Sequence, residues 1–186
     1  MVASPDGPVP AHPRAGGPLP LAASLVAALA AGVALLASFP PYGLWWLAPV
    51  GVALLAIATH RRRLRAGAGL GSLTGLMFFV PLLSWTNLHT GNLPWLLLSA
   101  LQAGYLALLG ALAAFVSPLV DRARWSWPAV TGLLWVAQEA LRDRTPFGGF
   151  PWGRLAFSQA DSPSRSGTWS TRWTGSSGSA RTRPAS

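Results

Sequence analysis

Two ionisable side chains stand where a long apolar run gives out. In "LLWVAQEALRDRTPFGGFPWG", residues 133–153, Glu139 and Arg142 are three positions apart. That spacing puts a carboxylate and a guanidinium on one helical face, where they can pair. A lone carboxylate deep in a bilayer costs about 2.5–3.5 kcal/mol, so Glu139 must face protein or water. Two readings follow: an interfacial ion pair that anchors the helix end, or a pair that holds a lipid head group. Next comes "FGGFPW", residues 147–152, in which Gly148 and Gly149 permit backbone angles other residues resist and Pro151 stiffens the exit. Phe147, Phe150 and Trp152 supply an aromatic rim. A plain interfacial anchor needs the aromatics but not the paired glycines, which favours a shaped re-entrant or rim segment touching an acyl chain. Glu139, Arg142, Phe150, Pro151 and Trp152 are therefore the candidate residues of a lipid path.

Nothing else assembles into a site. The chain has no Cys, which removes a thiolate nucleophile, a disulfide framework and thiolate metal ligation. His12, His60 and His89 fall in a tail, an arginine cluster and an outer loop, with no second ligand at metal spacing. No Ser-His-Asp arrangement and no phosphate loop is present. No residue of this chain is assigned a catalytic role, and neither a metal nor a cofactor is expected.

The elements that must carry these residues are set by an apolar composition: 51% hydrophobic and 10% charged over 186 residues. A soluble domain carries about 25% charged residues, so a membrane protein is the class to test first. All 14 basic residues are Arg, and the net charge is +9. Arginines grouped in short clusters between apolar runs form the positive-inside pattern of membrane proteins, unlike the continuous basic stripe of a nucleic-acid domain. No nucleic-acid partner is expected.

The spacing predicts an all-α, polytopic transmembrane bundle of about five spans, at residues 19–38, 44–59, 67–86, 93–117 and 128–142. The first run is too long for a signal-peptide core, and further spans follow it. "FPPYGLWW" at 39–46 reads as a Pro-broken turn with interfacial aromatics, and the third span ends in "LLSWTNLHTGN", 82–92, whose residues 87–92 read as an uncharged outer loop. One Arg precedes the first span, four lie in "HRRRLR" at 60–65 and two in "DRARW" at 121–125. The first two loops on the opposite side carry none. This asymmetry places the N-terminus in the cytoplasm and residues 143–163 outside. Gly67, Gly71 and Gly75 recur every four residues on one face of the third span, a stripe suited to close helix packing within the chain more than to dimerisation. Residues 1–18, rich in Pro and Gly, read as a disordered tail.

Three stretches in this order, "FPPYGLWWLAPVGVALL", "GSLTGLMFFVPLLSWT" and "WVAQEALRDRTPFGGFPWGRLAFSQADSP", resemble the apolipoprotein N-acyltransferases of bacterial inner membranes. The resemblance covers roughly residues 19–163. It implies an acyltransferase that moves an acyl chain from a phospholipid to the amino group of the S-diacylglyceryl-cysteine of an apolipoprotein. Phospholipid and lipidated apolipoprotein are the implied partners, and the bacterial plasma membrane the implied site. In that family a bundle of about eight helices carries an extracytoplasmic nitrilase-like domain, whose Glu, Lys and Cys form the acyl-thioester machinery. This chain has neither Lys nor Cys, so the resemblance implies the membrane portion alone, inactive by itself.

After Pro163 the pattern gives way to seven Ser, four Thr, four Arg and four apolar residues in 164–186, which reads as a disordered, out-of-frame tail. The alternative class is a small polytopic transporter or scaffold subunit, for which Gln102, Tyr105 and Thr131 are the mid-membrane polar residues on offer.

Overall fold

A computed structural model describes residues 17–146, 148–150 and 152–159. The expected tails fall outside the described residues, apart from Gly17 and Pro18, as do Phe147 and Pro151. Every described element is helical: α1 Leu21–Ala37, α2 Leu47–Thr59, α3 Leu64–Leu82, α4 Ser84–Thr90, α5 Asn92–Arg122, α6 Trp127–Arg142 and α7 Leu155–Ser158, with a 3-10 turn Arg124–Ser126 between α5 and α6.

Prolines set several of these limits. α1 starts directly after Pro20 and stops before Pro40 and Pro41, since a ring without an N–H cannot extend a helix. Pro128 sits in the first turn of α6, where the missing N–H would have had no partner. Pro81 lies in the last turn of α3, and the chain bends by 58° between α3 and α4. Helix ends leave carbonyls without partners. Here the Leu83 N–H takes Phe79 O at 2.9 Å, and the Trp95 indole Nε1 donates to Val80 O at 3.0 Å.

The bend corrects part of the sequence reading. Residues 87–90, expected as loop, are the second half of the helix α4, and the expected span 67–86 is divided at Leu83. α5 runs on beyond residue 117, through Pro118 to Arg122. Among the described helices only α5, with 31 residues, is by itself long and apolar enough to cross a membrane. α3 and α4 make a second crossing if the bent pair counts as one, while α1 and α2 are shorter apolar helices of 17 and 13 residues. Length and composition thus give one or two crossings where hydropathy spacing predicts five.

α3 and α5 form the central antiparallel pair. A side chain at Gly71 would collide with the Leu106 carbonyl, one at Gly67 with the Gly110 carbonyl, and one at Gly75 would sit 2.7 Å from Ala103 Cα. The glycine stripe therefore brings two backbones of the same chain into contact. α1 packs on α2 and α3, tied by Thr74 Oγ1 donating to Ala28 O at 2.9 Å, and α6 packs on α5. The core gathers Leu35, Phe39, Leu55, Phe78, Phe79, Leu83, Leu106 and Trp135.

Candidate functional site

α6 ends by holding the loop that follows it. Arg142 is 1% exposed, the largest fully buried side chain. Its guanidinium lies over the Phe79 ring, 5.2 Å from the centroid, and its Nη2 donates to Gly153 O at 3.2 Å. Glu139 Oε1 accepts two hydrogen bonds, from Trp135 Nε1 at 3.0 Å and from the Leu155 N–H at 2.9 Å. Asp143 pairs with Arg154 at 2.8 Å, and the Phe150 N–H donates to Arg142 O at 3.1 Å. Residues 139, 142 and 143, in the last turn and cap of α6, thus bind residues 155, 153 and 154.

The expected Glu139–Arg142 ion pair does not form among these contacts. Three positions on a helix bring the two residues to one side, but each head group reaches past the other to the folded-back loop. Their placement together was legible in the spacing; their partners were not. Asp143, Gly153, Arg154 and Leu155 carry no local signal, because the loop between them hides their proximity.

Gly149 shows why this loop needs glycine. Its φ is +81°, and a Cβ there would run into the Asp143 carbonyl. Both the positive φ and the close approach exclude ordinary side chains. Phe150 is half-buried against the core cluster. Trp152, 55% exposed, packs its ring 5.6 Å from Trp85 of α4 and 6.4 Å from Phe157 of α7. Gln159 Nε2 reaches Trp45 O at 3.3 Å, which joins α7 to the aromatic turn between α1 and α2. Trp45, Trp46, Trp85, Trp152 and Phe157 therefore form an exposed aromatic rim around one end of the bundle. Of the five candidate residues, the structure brings Glu139, Arg142, Phe150 and Trp152 together; Pro151 lies outside the described residues.

His89 is exposed on α4, with Nδ1 3.3 Å from Trp85 O. No group of three or more His, Cys, Asp or Glu among the described residues could hold a metal ion. This arrangement fixes a shape: a charged helix end clamps a glycine-bent loop, and the loop presents aromatic rings.

Residues 31–178 match the family model described as the apolipoprotein N-acyltransferase N-terminal domain. The chain belongs to this family. It is similar to the apolipoprotein N-acyltransferase of Nitrosomonas europaea, 38% identical over 144 residues that make up 73% of this chain and 29% of the relative. The enzyme of Mycolicibacterium smegmatis is 41% identical over 111 residues, 59% of this chain and 19% of its own length. That of Chromobacterium violaceum is 35% identical over 157 residues, 81% of this chain and 30% of its own length. The chain thus spans less than a third of the length of these curated relatives. The clamp of Glu139 and Arg142 on residues 153–155 lies within the stretch that the acyltransferase family model matches, and the match continues past Pro163 to residue 178.

Proposed function

We propose that this chain is the membrane portion of an apolipoprotein N-acyltransferase, whose α6–α7 clamp holds an aromatic rim where an acyl chain passes. The observation that carries this reading is an inverted distribution of polarity around the bundle. Ser24, Thr59, Thr74, Ser99, Gln102 and Arg142 are buried, whereas Val26, Leu97, Phe115, Leu119, Leu133 and Val136 face outward. In water such a surface is a liability. In lipid it is the expected solution, since tails solvate Leu and Phe while small and polar residues join the helices.

On this reading the bundle crosses the membrane five times, with α3 and α4 forming one bent crossing. The N-terminus and the arginines of 61–65 are cytoplasmic, and the rim is extracytoplasmic. Helices shorter than a full crossing are accommodated by tilt, local thinning and interfacial residues. Trp45, Trp46, Trp85 and Trp152 at one end fit an interfacial belt.

Acyl transfer itself needs groups that the 186 residues do not supply, because they include no Cys and no Lys. The substrates, a phospholipid donor and a lipidated apolipoprotein acceptor, follow from family membership and are part of this proposal. The test is a chimera in which residues 31–159 replace the matched region of the Mycolicibacterium smegmatis relative. Transfer of an acyl chain to a diacylated lipopeptide should be retained, and should fall on Trp152→Ala at unchanged membrane yield. Unchanged transfer in Trp152→Ala would remove the rim from the lipid path. Loss of transfer in a well-inserted parent chimera would reject the membrane portion as a functional equivalent.

A further inference from the structure

α5 and α6 carry polar groups that the fold buries and does not pair. Ser99 and Gln102 of α5 and Gln138 and Arg142 of α6 are each 5% exposed or less. Ser99 Oγ, Gln102 Oε1, both amide atoms of Gln138 and Arg142 Nε are buried without a hydrogen-bond partner among the described residues. Turning the Gln138 amide over exchanges its nitrogen and oxygen and leaves both unmet. Proteins rarely bury one such group without a partner, and a cluster of them calls for a ligand.

Contacts to neighbouring helices set these residues at one level of the bundle. Gly67 meets Gly110, Gly71 meets Leu106 and Gly75 meets Ala103, so the next turn of this antiparallel series sets Phe79 of α3 beside Ser99 of α5. The Arg142 guanidinium lies over that same Phe79 ring. Between α5 and α6, Leu109 and Ala113 share a small cavity with Thr131 and Leu134. Two turns toward the clamp from Leu109 stands Gln102, and two turns from Thr131 stands Gln138, so the two amides belong to facing stripes of one seam. Tyr105, three residues on from Gln102, donates to the carbonyl of Thr145, three residues on from Arg142, at 2.7 Å, which ties the two helices together at this end.

The mixture of donors and acceptors selects the ligand. Arg142 Nε and Gln138 Nε2 offer hydrogens, Gln102 Oε1 and Gln138 Oε1 accept them, and the Ser99 hydroxyl does both. An anion would serve the donors alone. A metal cation would serve the acceptors alone and be repelled by the guanidinium. Water gives two hydrogens and accepts two, and it needs only about 10–15 Å³ of space. The cavity at Leu109 and Leu134, about 20 Å³, shows that packing along this seam leaves gaps of that size.

We propose that the junction of α3, α5 and α6 holds a small cluster of ordered water, which bridges Gln102 to Gln138 and solvates the Nε side of Arg142. The water returns to the guanidinium part of the hydration that burial removes, while Gly153 O and the Phe79 ring engage its other side. This site rests on helix packing alone and stands apart from both the membrane placement and the acyl-transfer reading.

The test is nuclear magnetic resonance of the full chain in detergent micelles, reading rotating-frame cross-peaks between water and N–H groups, in which dipolar contact and proton exchange differ in sign. Wild type should show dipolar cross-peaks from water to the Gln138 side-chain amide and to Arg142 Nε–H. The backbone amide of Leu70, equally buried in α3, should show none. Gln102→Leu removes an acceptor and should weaken the Gln138 cross-peaks roughly twofold to tenfold, on the scale of one neutral hydrogen bond. Ser99→Ala, a milder change at the same junction, should act in the same direction and guards against a folding defect in the first variant. Absence of dipolar cross-peaks from both groups in folded wild type would overturn the proposal, as would Gln138 signals undiminished in both variants. A scalar coupling across a direct Gln102–Gln138 hydrogen bond would pair the two amides with each other and overturn it as well.

Discussion

Removing the Glu139 carboxylate tests whether the clamp is what holds the rim. One oxygen, Oε1, serves two donors: the Trp135 indole N–H at 3.0 Å and the Leu155 backbone N–H at 2.9 Å. Glu139→Leu keeps the apolar stem and leaves both donors without an acceptor. Each orphaned buried donor costs about 1–3 kcal/mol, so the loop should lose about 2–6 kcal/mol of local stability. Part of that is recovered where water reaches the half-buried position, which puts the expectation toward the lower end. Glu139→Gln keeps a carbonyl oxygen in place and forfeits only the charge-assisted part, about 1 kcal/mol.

Hydrogen exchange of the Leu155 amide in detergent micelles reads this directly. At 1.4 kcal/mol per factor of ten, the single orphaned amide should exchange about 5–150-fold faster in Glu139→Leu. In Glu139→Gln the change should stay below about tenfold. Amides in the middle of α3 and α5 should keep their protection in both variants, since neither helix depends on this carboxylate. An unchanged Leu155 amide in Glu139→Leu would refute the clamp, and equal acceleration in the two variants would refute the claim that the acceptor oxygen matters more than its charge.

Three further expectations follow from particular positions. Gly71→Ala should destabilise the bundle by about 1–3 kcal/mol in thermal unfolding, because the methyl meets the Leu106 carbonyl. Gly69→Ala, on the open face of the same helix, should be neutral or stabilising by up to about 1 kcal/mol, and equal losses at both sites would remove the backbone contact as the cause. Gly149→Ala should cost more than about 1 kcal/mol, since it combines an unfavourable φ with a clash at the Asp143 carbonyl; wild-type melting would show that the loop does not need this geometry. In the naturally cysteine-free chain, Arg63→Cys and His89→Cys should label with a membrane-impermeant maleimide from opposite faces of the membrane, and labelling from one face would sink the proposed topology.

The length of an apolar run and the position of a proline are local properties, and they determined most of the helical layout. Four of the five expected segments coincide with α1, α2, α5 and α6 to within about five residues, because each is a largely apolar run, and Pro20 and Pro128 fix the starts of α1 and α6 by acting on their own neighbours. The packing role of Gly67, Gly71 and Gly75 was also legible, since a four-residue repeat defines one face whatever it meets. Which face it meets was decided in three dimensions, at Gly110, Leu106 and Ala103 of α5.

The helical state of 87–90 and the break at Leu83 escaped the pattern, because the length of a span depends on where its end carbonyls find donors. Val80 O finds one in Trp95, 15 residues on. Likewise Glu139 and Arg142 were singled out by type and spacing, while their partners lay beyond a glycine-bent loop. Spacing along one helix put the two charges on one face, where they could pair. Only the tertiary structure, by bringing Gly153 and Leu155 back onto that helix end, offered each charge a better-placed neighbour: a backbone N–H for the carboxylate, and a carbonyl and an aromatic face for the guanidinium.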